Sequence, residues 1–372
     1  MAAAVLQSGT PEGDCIRFTW SDGFEAVVAC AWLLDNAATA RVSGSGQRLR
    51  SAASLAASGS LRAVGVTGDA VRLAFEHETV EWTGDALRSH ASARDLEQHV
   101  TLWPHGADIT ARPIVPYDAY LADDCALRAA LKDVVTFGLA RLSGAGTDLN
   151  ELERTVRRFG FIRETNYGRL FEVRVEDNPD NLANTARALE PHTDNPYRDP
   201  APTLQMLHAI RSSRDGGATV FLDGFALAAS FRDDSPDDFA RLARLAVPFA
   251  FTDAAGNRYD ARSPIIRMAA DGEMAGIRFN HRSLGEVDFA ASETTRWYES
   301  YMKFAATAAE TGRRFSIALQ PGDIVIFDNE RILHGREAFA GSGGRLLKGC
   351  YADRDGLRAT LARLEQAEVA RR

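Results

Sequence analysis

Apolar and polar residues alternate near the start of the chain, in Ile16-Arg17-Phe18-Thr19-Trp20. Ser21-Asp22-Gly23 then supplies turn chemistry before a second apolar run, Ala26 to Leu34. Ala63-Val64-Gly65-Val66 and Val71-Arg72-Leu73-Ala74-Phe75 repeat the pattern, and Trp82 to His90 predicts a short helix packed on these strands. Residues 14 to 105 thus read as a small β-rich domain. Pro104 to Pro116 carries three prolines and predicts a connection between domains. Helical periodicity follows over Tyr117 to Gly138 and again over Asp148 to Phe159, where Asp148 is placed to cap and Glu151 and Glu153 favour the first turn by charge. From Phe161 to about Ala352 the pattern is of short strands separated by turns, with amphipathic helices inserted at Pro236–Leu245 and Ser292–Glu310 and a closing helix from Asp355 to Arg371. Strands and helices do not alternate and no GxGxxG motif occurs. The second domain, 112 to 372, therefore reads as mostly β with flanking helices, a double-sheet jelly roll.

Composition narrows the function classes. A chain of 372 residues exceeds one ordinary core and fits two domains. With 45% hydrophobic and 25% charged residues it is of globular type, and a net charge of -8 without long basic runs argues against a nucleic-acid surface. No apolar stretch approaches the roughly 20 residues a membrane helix needs, and the first residues lack the features of a secretory leader, so the expectation is a cytoplasmic protein. Cys15, Cys30, Cys125 and Cys350 are scattered without a CxxC pair, which supports neither a disulfide framework nor a thiolate zinc site.

The candidate chemistry centres on Pro191-His192-Thr193-Asp194-Asn195-Pro196-Tyr197-Arg198. In an extended strand, residues i and i+2 share a face, so His192 and Asp194 can hold one ion together. Ile332-Leu333-His334-Gly335-Arg336 offers a third ligand, His334, after an apolar run. Two histidines and a carboxylate with open positions form the facial set of non-haem Fe(II) oxygenases. His77, His90, His99 and His105 lack such a setting and read as ordinary surface or core residues. Pro321-Gly322-Asp323 is a turn signal before a buried strand that would deliver His334, while Asp328 and Asn329 could orient the ligands or simply form a loop. A keto-acid co-substrate would use two open metal positions and want a guanidinium fork for its far carboxylate. Arg345 is the candidate, and Thr219 could add a hydroxyl.

Taken in order, His192-Thr-Asp194-Asn-Pro-Tyr-Arg, Thr203-Leu-Gln205-Met-Leu-His208, Gly216-Gly217 with Leu222-Asp223-Gly224-Phe225, Ile277-Arg-Phe-Asn280, and Pro321 to Asn329 through His334-Gly-Arg336 resemble the γ-butyrobetaine hydroxylase group of Fe(II)/2-oxoglutarate dioxygenases. This group includes hydroxylases of 2-(trimethylammonio)ethylphosphonate. The resemblance, over roughly residues 14 to 368, implies a jelly-roll core, His192, Asp194 and His334 as iron ligands, and Arg345 as the 2-oxoglutarate anchor. It implies a reaction in which O2 and 2-oxoglutarate give succinate, CO2 and a hydroxylated substrate. It further implies an aromatic cage for a trimethylammonium group, at Tyr167, Phe171, Tyr197 and Tyr351. Asn184 stands where the butyrobetaine enzymes carry another cage tyrosine, and Phe171 replaces a tryptophan. Asn195 lies on the same loop as the ligands. Asn280, His281 and Arg282 suit a highly charged anion and so favour a phosphonate over γ-butyrobetaine, or else His281 and Arg282 form a solvated turn. The rivals are oxidation of another small acid and a non-catalytic sensor of a quaternary amine or keto acid. A small-molecule substrate and, by resemblance alone, a homodimer are expected.

Trp20-x-Asp22-Gly23 and Trp32-Leu-Leu-Asp35-Asn36 resemble the small domain of that group, which commonly holds a structural zinc through cysteines just after this segment. Here Ala37, Ala38, Thr39 and Ala40 follow, leaving only His77 near the expected histidine. Elemental analysis of chelator-washed protein is expected to find no stoichiometric zinc; one zinc per chain would refute that reading.

Overall fold

The structure, a computed structural model, describes residues 4–57, 59–92, 100–106, 108–148, 150–174, 185–213, 216–339 and 344–369. The chain divides into two compact units, Met1–Gln98 and His99–Arg372. Among the described residues no helix is long and apolar enough to cross a membrane.

The first unit holds two three-stranded antiparallel sheets, Leu6–Glu12, Cys15–Trp20 and Glu25–Ala29, and Leu61–Thr67, Ala70–Phe75 and Thr79–Thr83. The apolar run from Ala26 to Leu34 is not one strand. Ala26 and Val28 are buried by alternation, but Leu33 and Leu34 are adjacent and both buried, which a strand pleat cannot achieve and the helix Cys30–Asp35 can. Trp82 belongs to the strand Thr79–Thr83, and the following helix starts at Gly84. The Trp32 ring stacks on Trp82 and on His90, with centroids 5.2 and 3.5 Å away, and the Trp82 indole N–H donates to the Leu33 carbonyl at 3.0 Å. Ala37 and Ala40 are buried in the same core, whereas His77 is exposed.

The second unit is built on two sheets. In the larger, the order is Phe171–Arg174, Leu346–Ala352, Leu204–Arg211, Ile324–Asp328, Leu139–Ser143 and Ile114–Pro116, with Ile162–Arg163 also pairing to Leu346–Ala352. The smaller runs Leu189–His192, Ile332–Arg336, Thr219–Asp223 and Phe315–Ile317. Leu207, Val325, Phe327 and Leu347 of the larger sheet form one core cluster with Phe221, Ile317 and Ile332 of the smaller, which is the jelly-roll sandwich. The second face of the larger sheet is covered by Asp124–Phe137 and Arg354–Val369, through Leu127, Leu131, Leu357 and Leu361.

Local chemistry explains where the elements differ from expectation. The helical stretch from Tyr117 breaks at Asp123, whose carboxylate accepts from the amides of Cys125 and Ala126 and so caps a new helix; Gly138, at φ 87°, ends it. Asp148 is not the cap of Glu151–Arg157; its carboxylate accepts from Asn150 N and shapes the turn before the helix. The stretch 104–116 has structure of its own, since Ile114–Pro116 pairs in parallel with Leu139–Ser143. Helix Gly224–Asp234 carries little amphipathic signal, because small residues, Gly224, Ala226, Ala228, Ala229 and Ser230, occupy much of both faces; Asp223 starts it by accepting from Phe225 N at 3.0 Å.

Asp223 also joins a buried ion pair. Arg331 Nη2 lies 2.7 Å from Asp223 Oδ2, and both side chains are nearly fully enclosed. The same guanidinium donates to the carbonyls of Thr136 and Thr101, and Asp223 accepts from Trp103 N. Segment 101–103, the end of one helix, the start of another and the strand bearing His334 thus meet at one pair. Asp223→Ala strands a buried guanidinium, so a loss of about 3–5 kcal/mol is expected in urea unfolding; an unchanged midpoint would show that the pair carries no such weight.

Candidate functional site

The smaller sheet brings the histidines together. His192, last residue of its strand, is the direct cross-strand neighbour of His334, and the ring centroids are 4.6 Å apart. Asp194 lies beyond the strand end, so the pleat does not orient it. Asn329 does: its Oδ1 accepts from Asp194 N at 2.8 Å, and its Nδ2 donates to the carbonyls of Asp194 at 3.0 Å and Pro202 at 2.9 Å. Thr193 is pinned against Phe279 through both backbone and hydroxyl, and Asn280 Nδ2 donates to Thr193 O at 3.0 Å. Asn195 then takes a left-handed φ of 52°, a conformation that asparagine tolerates better than most residues.

Nitrogen and oxygen atoms of His192, Asp194 and His334 lie within 4.8 Å of one another. His192 Nδ1 donates to the Glu190 carbonyl at 2.8 Å, and its Nε2 lies 3.3 Å from Asp194 Oδ1. His334 Nε2 sits 3.6 Å from Asp194 Oδ2. Burial, opposed by the Asp194 carboxylate, pushes the His334 imidazole down to about 3, so it is neutral at physiological pH. Burial alone would raise the Asp194 carboxyl, but His334, His192 and Tyr351 together hold it well below the usual carboxylate range. The imidazole nitrogens and the carboxylate oxygens therefore converge on one point. A cation fits this donor set, and its mixed nitrogen and oxygen character suits Fe(II).

A cavity of about 650 Å³ reaches these three residues, a size usual for small-molecule sites. Arg345 is buried in its wall and donates to Thr219 Oγ1 at 3.3 Å. Burial and then Arg336 lower its guanidinium to about 10, which leaves it charged at neutral pH. No carboxylate among the described residues pairs with it, so this enclosed charge is available to an anion. Arg336 is committed to the carbonyls of Thr185 and Arg187. Asn280 and the more exposed Arg282 line another part of the cavity.

The aromatic residues also gather here. Phe171 packs against Tyr351 with centroids 5.0 Å apart, and Tyr167 lies 6.4 Å from Phe171. Gly349, opposite Phe171 on the neighbouring strand, has no side chain because the ring occupies that space. The Tyr197 hydroxyl donates to Asn195 Oδ1 at 2.7 Å and lies 3.2 Å from the Tyr167 hydroxyl. Asn184 lies outside the described residues. Sequence reasoning missed Phe251, which stacks on Tyr197 at 5.0 Å and lines the cavity from the hairpin Val247–Ser263. It also missed Gln205 as a site residue. An amide between Leu204 and Met206 in a strand-like apolar run was the available signal; for Phe251 there was none, since Phe249 and Phe251 read as an ordinary hairpin face.

Comparison with known proteins agrees with this geometry. The chain is 34% identical over 288 residues to a gamma-butyrobetaine dioxygenase of Pseudomonas sp. (strain AK-1), a match covering 75% of this chain and 74% of that protein. It is 27% identical over 385 residues to a gamma-butyrobetaine dioxygenase of Pongo abelii, covering 98% of each. Against the mitochondrial trimethyllysine dioxygenase of Bos taurus the identity is 28% over 248 residues, covering 65% of this chain and 58% of that protein. The model of the family described as taurine catabolism dioxygenase TauD, TfdA matches residues 97–351. The chain belongs to the TauD/TfdA family and is an iron- and 2-oxoglutarate-dependent dioxygenase.

Proposed function

We propose that this chain hydroxylates a small trimethylammonium zwitterion whose anion is a phosphonate. The observation that carries this reading is the pairing, around one set of candidate ligands, of an aromatic wall with a basic end. A quaternary ammonium cannot donate a hydrogen bond, so ring faces are its natural surroundings, and Tyr167, Phe171, Tyr197, Tyr351 and Phe251 supply them. Arg282 and Asn280 offer charge and an amide to a dianion. A second reading, γ-butyrobetaine, is favoured by the names of the similar enzymes.

In this scheme His192, Asp194 and His334 hold the iron. Arg345 and Thr219 receive the far carboxylate of 2-oxoglutarate. The bound iron supplies the activation of O2, coupled to loss of CO2 from the keto acid. The protein's contribution is placement. Asn329 fixes the backbone of Asp194, the buried Arg345 fixes the co-substrate, and the rings exclude water from around the substrate cation.

Succinate release is the assay, run with the trimethylammonium phosphonate, γ-butyrobetaine, trimethyllysine and unmethylated analogues. The phosphonate is expected to give the highest kcat/KM; γ-butyrobetaine ahead of it would establish the second reading, and indifference to methylation would remove the cage. His334→Ala is expected to abolish metal-dependent turnover while the protein remains folded. Loss of the Arg345 fork in Arg345→Met is expected to raise the KM for 2-oxoglutarate about tenfold or more, the scale of a lost charged hydrogen bond; an unchanged KM would place the co-substrate elsewhere.

A further inference from the structure

The carboxylate of Asp194 is gripped from the opposite sheet. Gln205 and Tyr351 face each other directly across the antiparallel strands Leu204–Arg211 and Leu346–Ala352, so their side chains leave the larger sheet on the same face. Both reach the same atom. Tyr351 donates its hydroxyl to Asp194 Oδ2 at 2.8 Å, and Gln205 Nε2 donates to it at 2.9 Å. Oδ1 receives neither donor and faces His192 Nε2 at 3.3 Å.

The cost of this arrangement argues that it has a purpose. Gln205 is 1% exposed in a strand whose neighbours Leu204, Met206 and Leu207 are apolar, and its Oε1 is buried without a hydrogen-bond partner. A leucine there would avoid leaving a buried carbonyl unsatisfied. The bond from Nε2 to Asp194 is what the glutamine gains. Tyr351 is likewise buried, at 4% exposed, with its hydroxyl turned onto the carboxylate and its ring against Phe171.

We propose that Gln205 and Tyr351 act as a cross-strand pair of positioning residues that make the two oxygens of Asp194 inequivalent, committing Oδ2 to the protein and leaving Oδ1 for the metal. Two donors saturate Oδ2 and fix the rotation of the carboxylate about its own axis, a motion Asn329 cannot restrain because it holds only the backbone of Asp194. The pair thereby biases Asp194 toward single-oxygen ligation and keeps other metal positions open for the co-substrates. Tyr351 has two separable parts, a hydroxyl that acts on the ligand and a ring that acts on the substrate. The inference rests on the metal site proposed above.

The test uses the full chain under anaerobic conditions and follows Fe(II) and Co(II) binding in the absence of 2-oxoglutarate. Tyr351→Phe, Gln205→Met and the double variant are compared by metal dissociation constant and by the Co(II) ligand-field spectrum. Each single variant is expected to weaken metal binding by about 10–100-fold, as loss of a ligand's hydrogen-bond partner does elsewhere, with a displaced Co(II) band. Tyr351→Phe keeps the ring and is expected to preserve the substrate KM, whereas Tyr351→Leu is expected to raise it. If Tyr351→Phe and Gln205→Met bind both metals with wild-type affinity and spectrum, the proposal is overturned. His334→Ala separates the two levels: if it retains stoichiometric metal, the metal assignment itself is wrong; if it loses metal while the clamp variants do not, only the clamp fails. Tyr351→Phe removes one oxygen atom and carries the decision should Gln205→Met not fold.

Discussion

The centre of this protein depends on a side chain that imitates a strand. Beyond His192 the smaller sheet has no further rung to offer Asp194, yet the carboxylate must stay beside two histidines. Asn329 fills the gap with its amide, accepting from the N–H of Asp194 and donating to its carbonyl, as the backbone of a neighbouring strand would do. The residues flanking Asn329 are held in turn. Arg354 pairs with Asp328 at 2.7 Å and with Glu330 at 3.2 Å, and Arg267 pairs with Glu330 at 2.7 Å. These largely enclosed ion pairs make the turn between Ile324–Asp328 and Ile332–Arg336 rigid where its rigidity sets the ligand geometry.

Much of the site was legible because its residues break the local pattern. His192 and Asp194 interrupt an extended stretch, His334 sits inside an apolar run, and the buried strand before it was plain from length and β-branching. What could not be read was partnership. Whether Asn329 shaped a loop or oriented a ligand depended on a residue 135 positions away. Phe251 joins the pocket only because its hairpin folds over Tyr197, and no periodicity encodes that contact. The helices were located well where one face is apolar and the other charged, as in Pro236–Arg244 and Ala291–Ala309, but Gly224–Asp234, whose less buried positions Ala226, Ala229 and Ser230 are small rather than charged, gave no such signal.

The distribution of charge follows the same economy. Arg345 is enclosed without a carboxylate partner among the described residues, Arg336 turns its Nη2 to two backbone carbonyls, and Arg282 remains toward solvent. One guanidinium is thus set aside for an anion, one braces the wall, and one is free to adapt. In the first unit a different solution appears. Trp32 stacks on Trp82 and on His90 against the core that holds the buried Ala37 and Ala40, so stacking and apolar packing organise that region.

The two-sheet origin of the Asp194 environment has a consequence for how the molecule comes into being. The histidines belong to one sheet, the donors to Oδ2 belong to the other, and both sheets are assembled from strands far apart along the chain. Closing such long loops is the slow part of folding, and no short segment contains the full donor set. The candidate iron site is therefore a late product of folding, assembled once the sandwich has closed, and metal affinity would be a gauge of whether the last rungs of both sheets are in register.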